Sequence, residues 1–200
     1  MLLNDPPVDD VVRAMYDEDL ADDGYISNHT RAWALRPDVC QRFRDLRVQL
    51  GQQMTLSQAE LAVVIAATVA EAADPYCSLA WGKNLADATN ERVAADVLRG
   101  QTPTELSERE SVLAAWTRSV VRDPSATTSH EVDMLRASGF SDRDIAEVTM
   151  LIAFRIAFST VNAALGAEPD RQLAERVPGA VREAVDYGRP VAVAPSVDVV

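Results

Sequence analysis

The chain has 200 residues, of which 48% are hydrophobic and 6% aromatic, and its 31 acidic and 19 basic residues give a net charge of -12. A chain this acidic repels phosphate backbones, so we expect no nucleic-acid partner. The first residues lack the basic start of a signal peptide, and no apolar run reaches the roughly 20 residues that span a bilayer. Two cysteines make no disulfide framework, so we expect a reduced, cytoplasmic protein without a membrane segment.

The N-terminal quarter predicts three helices. Residues 7–23 have an amphipathic pattern, with Val11, Val12 and Leu20 near one side. Asn28 can cap a short second helix that stops before Pro37. Proline suits the first turn of a helix, so the third helix should run from Pro37 to about residue 50.

The middle of the chain predicts a buried helix followed by a sharp break. Ser57 and Glu60 have the spacing of a capping box, and the sequence LAVVIAATVAEAA that follows is apolar almost all round. Asp74 and Pro75 then fit an N-cap and a first helical residue. Cys77 would therefore lie near the third position of the next helix.

The C-terminal half continues the helical pattern. Capping signals at Ser107 and Ser141 precede two further helices, the second long, apolar and expected to be buried. Shorter helices are predicted in residues 91–98, 130–137 and 171–188. No stretch alternates as strands do. We therefore predict one all-α domain over residues 1–188 and an irregular tail over residues 189–200.

Three long stretches, in order and spacing, resemble a known superfamily. They are GYISNHTRAWALRPDVCQRF, LSQAELAVVIAATVAEAADPYC and the region from LSERESVLAAW to AALGAEPD. These are similar to the alkylhydroperoxidase D-like and carboxymuconolactone decarboxylase-like proteins, more narrowly to their peroxidase-related subgroup. The resemblance implies an all-α helical bundle that assembles into trimers or trimers of dimers.

The family's chemical positions are largely replaced. Active members carry a carboxylate, then Cys-x-x-Cys, then a histidine four residues on. The corresponding residues here are Ala62, Asp74, Cys77 and Trp81. The resemblance therefore leaves one of four functional positions, and no disulfide can form between Asp74 and Cys77.

Each catalytic candidate has a functional and a structural interpretation. Cys77 at a helix start could be a nucleophile, because the helix dipole lowers a thiol pKa, although a carboxylate at Asp74 opposes this. Alternatively, Cys77 is a small buried apolar residue. Asp74 is most simply an N-cap, and it could handle protons in a dry site. Trp81 would form a pocket wall or part of the core.

Four further residues complete the predicted pocket: Ala62, Tyr76, Lys83 and His29. Lys83 could neutralise a substrate carboxylate or simply lie on the surface, and His29 could border the pocket. The two histidines of the chain have no metal-site spacing, and no glycine-rich phosphate loop is present. We therefore expect neither a metal nor a cofactor.

Three functions follow from these observations. The first is a degenerate family member with residual one-cysteine peroxidase activity at Cys77. The second is a cofactor-independent lyase or isomerase that acts on a small organic acid, with Asp74, Lys83 or His29 handling protons in a dry pocket under Trp81. The third is a non-catalytic oligomeric binding or scaffold protein. The expected partners are the chain itself, as a homodimer, trimer or hexamer, and a small hydrophobic or organic-acid ligand.

Overall fold

The computed structural model describes residues 1–193, and this part contains only helices and loops. The α-helices are α1 (Asp10–Asp22), α2 (Asn28–Trp33), α3 (Pro37–Gly51), α4 (Gln58–Glu71), α5 (Pro75–Ala88), α6 (Glu91–Leu98), α7 (Glu108–Arg122), α8 (Ser129–Ala137), α9 (Asp142–Leu165), α10 (Arg171–Arg176) and α11 (Gly179–Ala184), with a short 3₁₀ turn at Pro124–Ala126. The all-α prediction is confirmed. Residues 189–193 are irregular, and the rest of the predicted tail lies outside the described residues.

Capping boxes start four of the helices. In each, the N-cap hydroxyl accepts from the third backbone N–H, and the third side chain accepts from the N-cap N–H. The pairs are Ser57 and Glu60, Ser107 and Glu110, Thr128 and Glu131, and Ser141 and Asp144. Reciprocal bonds of this kind satisfy two backbone donors that a helix start leaves free. The helix starts predicted at Ser57, Ser107 and Ser141 are confirmed, and the capping box at Thr128 was not predicted.

Helix α4 is the centre of the bundle, which explains why it is apolar all round. It packs against α5, α6, α7 and α9. Val63 and Ala66 belong to a core shared with α5, α6 and α11, whereas Val64 and Ile65 belong to a second core shared with α7 and α9. A helix buried on opposite sides needs no polar face.

Helix α9 is buried on one face only, contrary to the expectation from its composition. Val148 and Ile152 are buried, whereas Met150 is 50% exposed. Its buried face packs on α4 and α7, and nothing within residues 1–193 covers the stripe of Ala146, Met150, Ala153 and Ala157. Helix α1 likewise buries Val12 and Tyr16, and it exposes Val11 and Leu20, which the sequence pattern placed on the packed side.

One helix in the described part, α9, is long and apolar enough to cross a membrane by length and composition alone. This corrects the expectation that no segment reaches that length. The core helix of a folded bundle passes the same test. α9 carries a buried Arg155 and packs against α4, as a core helix does.

The segment after α11 runs back over the start of α5. The Tyr187 hydroxyl donates to Ser78 Oγ at 2.9 Å. The neighbouring Gly188 has φ +72°, and a Cβ on it would lie 2.5 Å from Pro75 Cδ. Only glycine fits this approach, because a side chain there would be strained and would collide with the proline ring.

Gly82 provides a test of the packing between α5, α6 and α11. A Cβ on Gly82 would lie 2.5 Å from Val181 Cγ1 and 2.7 Å from Leu98 Cδ1. We therefore expect Gly82→Ala to lower the free energy of unfolding by about 1–3 kcal/mol, since overpacking a filled core costs about that much. Urea denaturation measures the change.

The matched control is Gly51→Ala in α3, where a Cβ would meet nothing within 4 Å. There alanine should leave stability unchanged or raise it slightly, because it is the better helix former. Equal effects of the two substitutions would show that α5 is not packed as described.

Candidate active site

The turn between α4 and α5 positions the candidate site. Ala73 adopts a left-handed conformation with φ 52°, and Asp74 follows as the N-cap of α5. Asp74 Oδ1 accepts from the Cys77 backbone N–H at 3.1 Å. Pro75 is the first helical residue, so Cys77 is the third. The predicted cap and helix start are confirmed.

A cavity of about 330 Å³ lies in front of Cys77, between α1, α2, α3, α5 and α9. It is lined by Met15, His29, Thr30, Trp33, Cys40, Phe43, Arg44, Arg47, Tyr76, Cys77, Ala80, Trp81, Arg155 and Phe158. The structure thus brings together four of the predicted residues: Cys77, Tyr76, Trp81 and His29. The volume is that of a site for a small molecule.

Three predicted residues do not line this cavity. Asp74 lies behind Cys77 and is buried, with its Oδ2 lacking any hydrogen-bond partner. Ala62 is packed in the core shared with α5 and α6, because the inner face of α4 is turned away from the cavity. Lys83 is partly exposed and pairs with Asp87 at 2.6 Å, one helical turn on. Ala62 and Lys83 therefore lie outside this cavity.

Cys77 is held as a neutral thiol. Only 4% of the residue is exposed, and burial, followed by the charge of Asp74 and a hydrogen bond to it, raises the thiol pKa strongly. Arg155 and Ser159 oppose this shift without overcoming it. Asn162 Nδ2 donates to Sγ at 3.9 Å, and Asn162 Oδ1 accepts from Trp33 Nε1 at 2.9 Å. Burial and Asp74 therefore outweigh the lowering of the thiol pKa that the helix dipole was expected to cause.

Two arginines enter the cavity without a carboxylate partner within residues 1–193. Arg155 is 8% exposed and lies over the Trp81 ring, 4.7 Å from its centroid. Arg47 lies 5.1 Å from the centroid of Phe158. Burial and the neighbouring charge of Arg47 lower the pKa of Arg155 to about 10, which leaves it protonated at neutral pH. A third arginine, Arg44, already pairs with Glu18 at 2.6 Å.

His29 lies at one end of a hydrogen-bonded chain. Its Nδ1 is 3.0 Å from the Tyr76 hydroxyl, which in turn donates to the carboxylate of Asp170. Asp170 also accepts from the backbone N–H of Asn28 at 3.1 Å. Burial raises the pKa of Asp170 to about 6 and lowers the pKa of His29. These hydrogen bonds thus connect α2, α5 and the residue before α10.

The sequence interpretation missed Arg47, Arg155 and Asp170. A signal for Arg155 was present, since Arg155, Ser159 and Asn162 are four and three residues apart in the mainly apolar second half of a long helix. That spacing puts three polar side chains on one face. Among residues 1–193, no group of three or more His, Cys, Asp or Glu side chains could hold a metal ion.

Comparison with known proteins supports the fold. No family model matches the sequence, and no curated protein matches it. A solved peroxidase-related protein from Ralstonia eutropha JMP134, described as an alkylhydroperoxidase AhpD core, is 21% identical with a TM-score of 0.74. A peroxidase-related protein from Silicibacter sp. TM1040 is 18% identical with a TM-score of 0.75. Both alignments cover 86% of this chain and 93% of the other.

A third similar structure is that of a debrominase, Bmp8. A cysteine-to-alanine variant of Bmp8 in complex with 2,3,4-tribromopyrrole is 17% identical, with a TM-score of 0.67 over 93% of this chain and 96% of the other. At these identities the likeness concerns architecture. The helical fold that the sequence resemblance implied is thereby confirmed: the chain has the fold of the AhpD core.

Replacing Asp74 tests the electrostatic control of Cys77. In a Cys40→Ser background, Asp74→Asn keeps an N-cap residue but removes the negative charge beside the thiol. We expect about tenfold more thiolate near neutral pH, because a like charge nearby disfavours ionisation. The rate of alkylation by iodoacetamide, followed against pH, measures this change.

Asp87→Asn, on the solvent side of α5, serves as the control and should leave the alkylation rate unchanged. An unchanged rate in Asp74→Asn would show that burial alone holds Cys77 as a thiol.

Proposed function

We propose that the protein is a cofactor-independent lyase or isomerase that acts on a small organic acid in the cavity in front of Cys77. The observation that carries this proposal is the pair of arginines, Arg47 and Arg155, that face the cavity without a carboxylate partner within residues 1–193. They occur in a protein with a net charge of -12. The cavity therefore has the opposite sign of charge to the molecule as a whole.

Burial makes an unpaired cation costly. A charge removed from water loses solvation, and a partner of opposite sign recovers much of that loss. Arg155 has an unpartnered Nε, and its pKa is lowered by burial and by Arg47. An anion placed between the two guanidinium groups would relieve both effects. Guanidinium donors also match the geometry of a carboxylate.

The cavity walls favour a flat ligand. Trp33 stacks on Phe158, with ring centroids 5.3 Å apart, and on Phe43 at 5.5 Å. Trp81 lies on α5, and Arg155 lies over its ring. Aromatic walls of this kind bury planar apolar groups well. The complex of Bmp8 with 2,3,4-tribromopyrrole, a small flat ring, supports the same ligand shape for this fold.

Thiol chemistry is less well supported than acid–base chemistry. A peroxidase needs a thiolate, whereas burial and Asp74 raise the pKa of Cys77. The residual one-cysteine activity at Cys77 therefore stays a prediction. A scaffold role alone would give no ligand to the buried Arg155 and the partly buried Arg47, whereas a lyase or isomerase uses them to bind its substrate.

The anion subsite can be tested with phenylpyruvate, a flat aromatic acid, and phenylacetone, its uncharged counterpart. We expect phenylpyruvate to raise the melting temperature of the wild-type protein, and Arg47→Gln or Arg155→Gln to weaken its binding at least about tenfold. Phenylacetone should bind weakly to all variants. Thermal-shift titration gives the affinities.

Arg44→Gln is the matched control, because Arg44 lines the same cavity but is paired with Glu18. Its affinity for phenylpyruvate should stay within about threefold of wild type. Equal binding of the acid and the ketone, or no loss in either arginine variant, would contradict the proposal.

We also propose that the chain self-associates through the exposed face of α9. Met150 is 50% exposed and Phe154 is partly exposed beside it, next to Leu46 of α3. The exposed residues Ala146, Met150, Ala153 and Ala157 are spaced by four, three and four, as in a helix–helix seam. A second copy of the same helix fits such a surface.

Met150→Glu should therefore shift the protein to a smaller species in sedimentation velocity, because it places a charge in the seam. Val11→Glu, at an exposed apolar residue of α1, should leave the sedimentation coefficient unchanged. A wild-type protein that sediments as a monomer at all concentrations would rule out this interface.

A further inference from the structure

The hydrogen-bonded chain His29–Tyr76–Asp170 ends in the cavity that holds the two arginines without a carboxylate partner in residues 1–193. We propose that His29 is the catalytic base of this site and that Tyr76 and Asp170 are positioning residues that fix its tautomer. This inference rests on the proposed function, since it places the base beside the bound anion. The proposal places the proton-transfer group on α2, whereas the family resemblance places a histidine at position 81, where this protein has tryptophan.

The hydrogen-bond directions define the tautomer. The Tyr76 hydroxyl has one hydrogen, which it donates to Asp170. It can therefore only accept from His29, so Nδ1 carries the proton. Nε2 is then left with a lone pair, and no group within residues 1–193 hydrogen-bonds to it. An imidazole held this way is a base, oriented by a third group.

Charged groups on three neighbouring segments affect the protonation of His29. Asp19 and Asp23 at the end of α1 and Asp74 before α5 favour the imidazolium, whereas Arg47 of α3 disfavours it. Burial has the largest effect and lowers the pKa of His29 below its ordinary value of 6.5. The imidazole is thus neutral at pH 7 and gains a proton only as the pH falls. A base of this kind is active at neutral pH and lost in acid.

Tyr76 and Asp170 have the protonation states that these hydrogen bonds require. Burial and the charge of Asp170 raise the pKa of Tyr76, so the phenol stays protonated. The pKa of Asp170 is about 6, so at pH 7 it is a carboxylate that can still take up a proton. Asp170 is 1% exposed, which keeps bulk water from competing for the Tyr76 proton.

His29 and Arg47 both lie beside the ring of Phe158. Phe158 lies 5.7 Å from the His29 ring and 5.1 Å from the Arg47 guanidinium carbon, measured to its centroid. A ligand whose carboxylate reaches Arg47 can therefore extend along this ring towards His29. Enolisable acids have their acidic C–H bond at such a carbon.

The proposed step is a proton transfer that balances within the site. The C–H bond beside the substrate carbonyl breaks, an N–H bond forms at Nε2, and the electron pair stays on the substrate as an enolate. The Nδ1 proton can then move to the Tyr76 oxygen as the phenolic proton moves to Asp170. Return of a proton along the same path to a substrate carbon restores the protein and isomerises or exchanges the substrate.

The test follows deuterium exchange at the benzylic carbon of phenylpyruvate in D₂O by proton NMR. We expect wild-type protein to accelerate exchange over buffer, with a rate that falls as the pH drops through the His29 pKa. His29→Gln should lose about a hundredfold or more of the acceleration, in the range typical of a removed general base. The matched control is His130→Gln, which should leave the rate unchanged.

A second measurement needs no turnover. In His130→Gln protein, His29 is the only histidine, so its nitrogen-15 spectrum reports a single tautomer. We expect Nδ1–H, and we expect Tyr76→Phe to lose this preference and to slow exchange by at least about tenfold. A purely structural role for Tyr76 would leave the tautomer unaltered.

The outcomes separate the two proposals. Binding of phenylpyruvate without accelerated exchange, equal exchange in His29→Gln, or an Nε2–H tautomer in the His130→Gln protein would overturn the role of His29 and leave the anion subsite standing. Absence of binding would overturn the proposed function and this inference together. If His29→Gln fails to fold, the tautomer in Tyr76→Phe decides the question.

Discussion

The connection between α4 and α5 is the constraint on which the site depends. There Ala73 takes the left-handed conformation that commonly ends a helix, at a cost of roughly 1–2 kcal/mol for a residue with a Cβ. The Asp74 cap then sets where α5 begins. This fixes the rotation of α5 relative to the buried α4, and so turns Tyr76, Cys77 and Trp81 together towards the cavity. The turn conformation is retained although the carboxylate works against ionisation of Cys77.

Cationic side chains inside an acidic protein require support from the cavity walls. Arg155 lies over Trp81 and Arg47 over Phe158, and cation–π contacts of this kind are worth about 0.5–2 kcal/mol. They partly replace the lost water without neutralising the charge. The cavity therefore keeps a positive potential that an anion can still use. A carboxylate in the wall would have removed it.

Sequence patterns predicted those parts of the structure that depend on neighbouring residues. Helix starts at Ser57, Asp74 and Ser107 follow from local hydrogen bonding, and so does the place of Cys77 in α5. The cavity depends instead on contacts between distant segments: Tyr76 and Asp170 are 94 residues apart. No local pattern reports such a pairing, which is why Asp170 was missed. Lys83 was misplaced because adjacent residues on a helix point in different directions.

The contact of Tyr187 and Gly188 with the start of α5 has a consequence for how the protein acquires its shape. The helix that carries Cys77 is contacted by residues from near position 29 and from near position 188. Contacts of such wide sequence separation form late, because the loops between them must close first. During synthesis from the N-terminus, α4 and α5 would emerge long before Tyr187 and Gly188. The cavity would therefore reach its final geometry only after nearly all of residues 1–193 had been made.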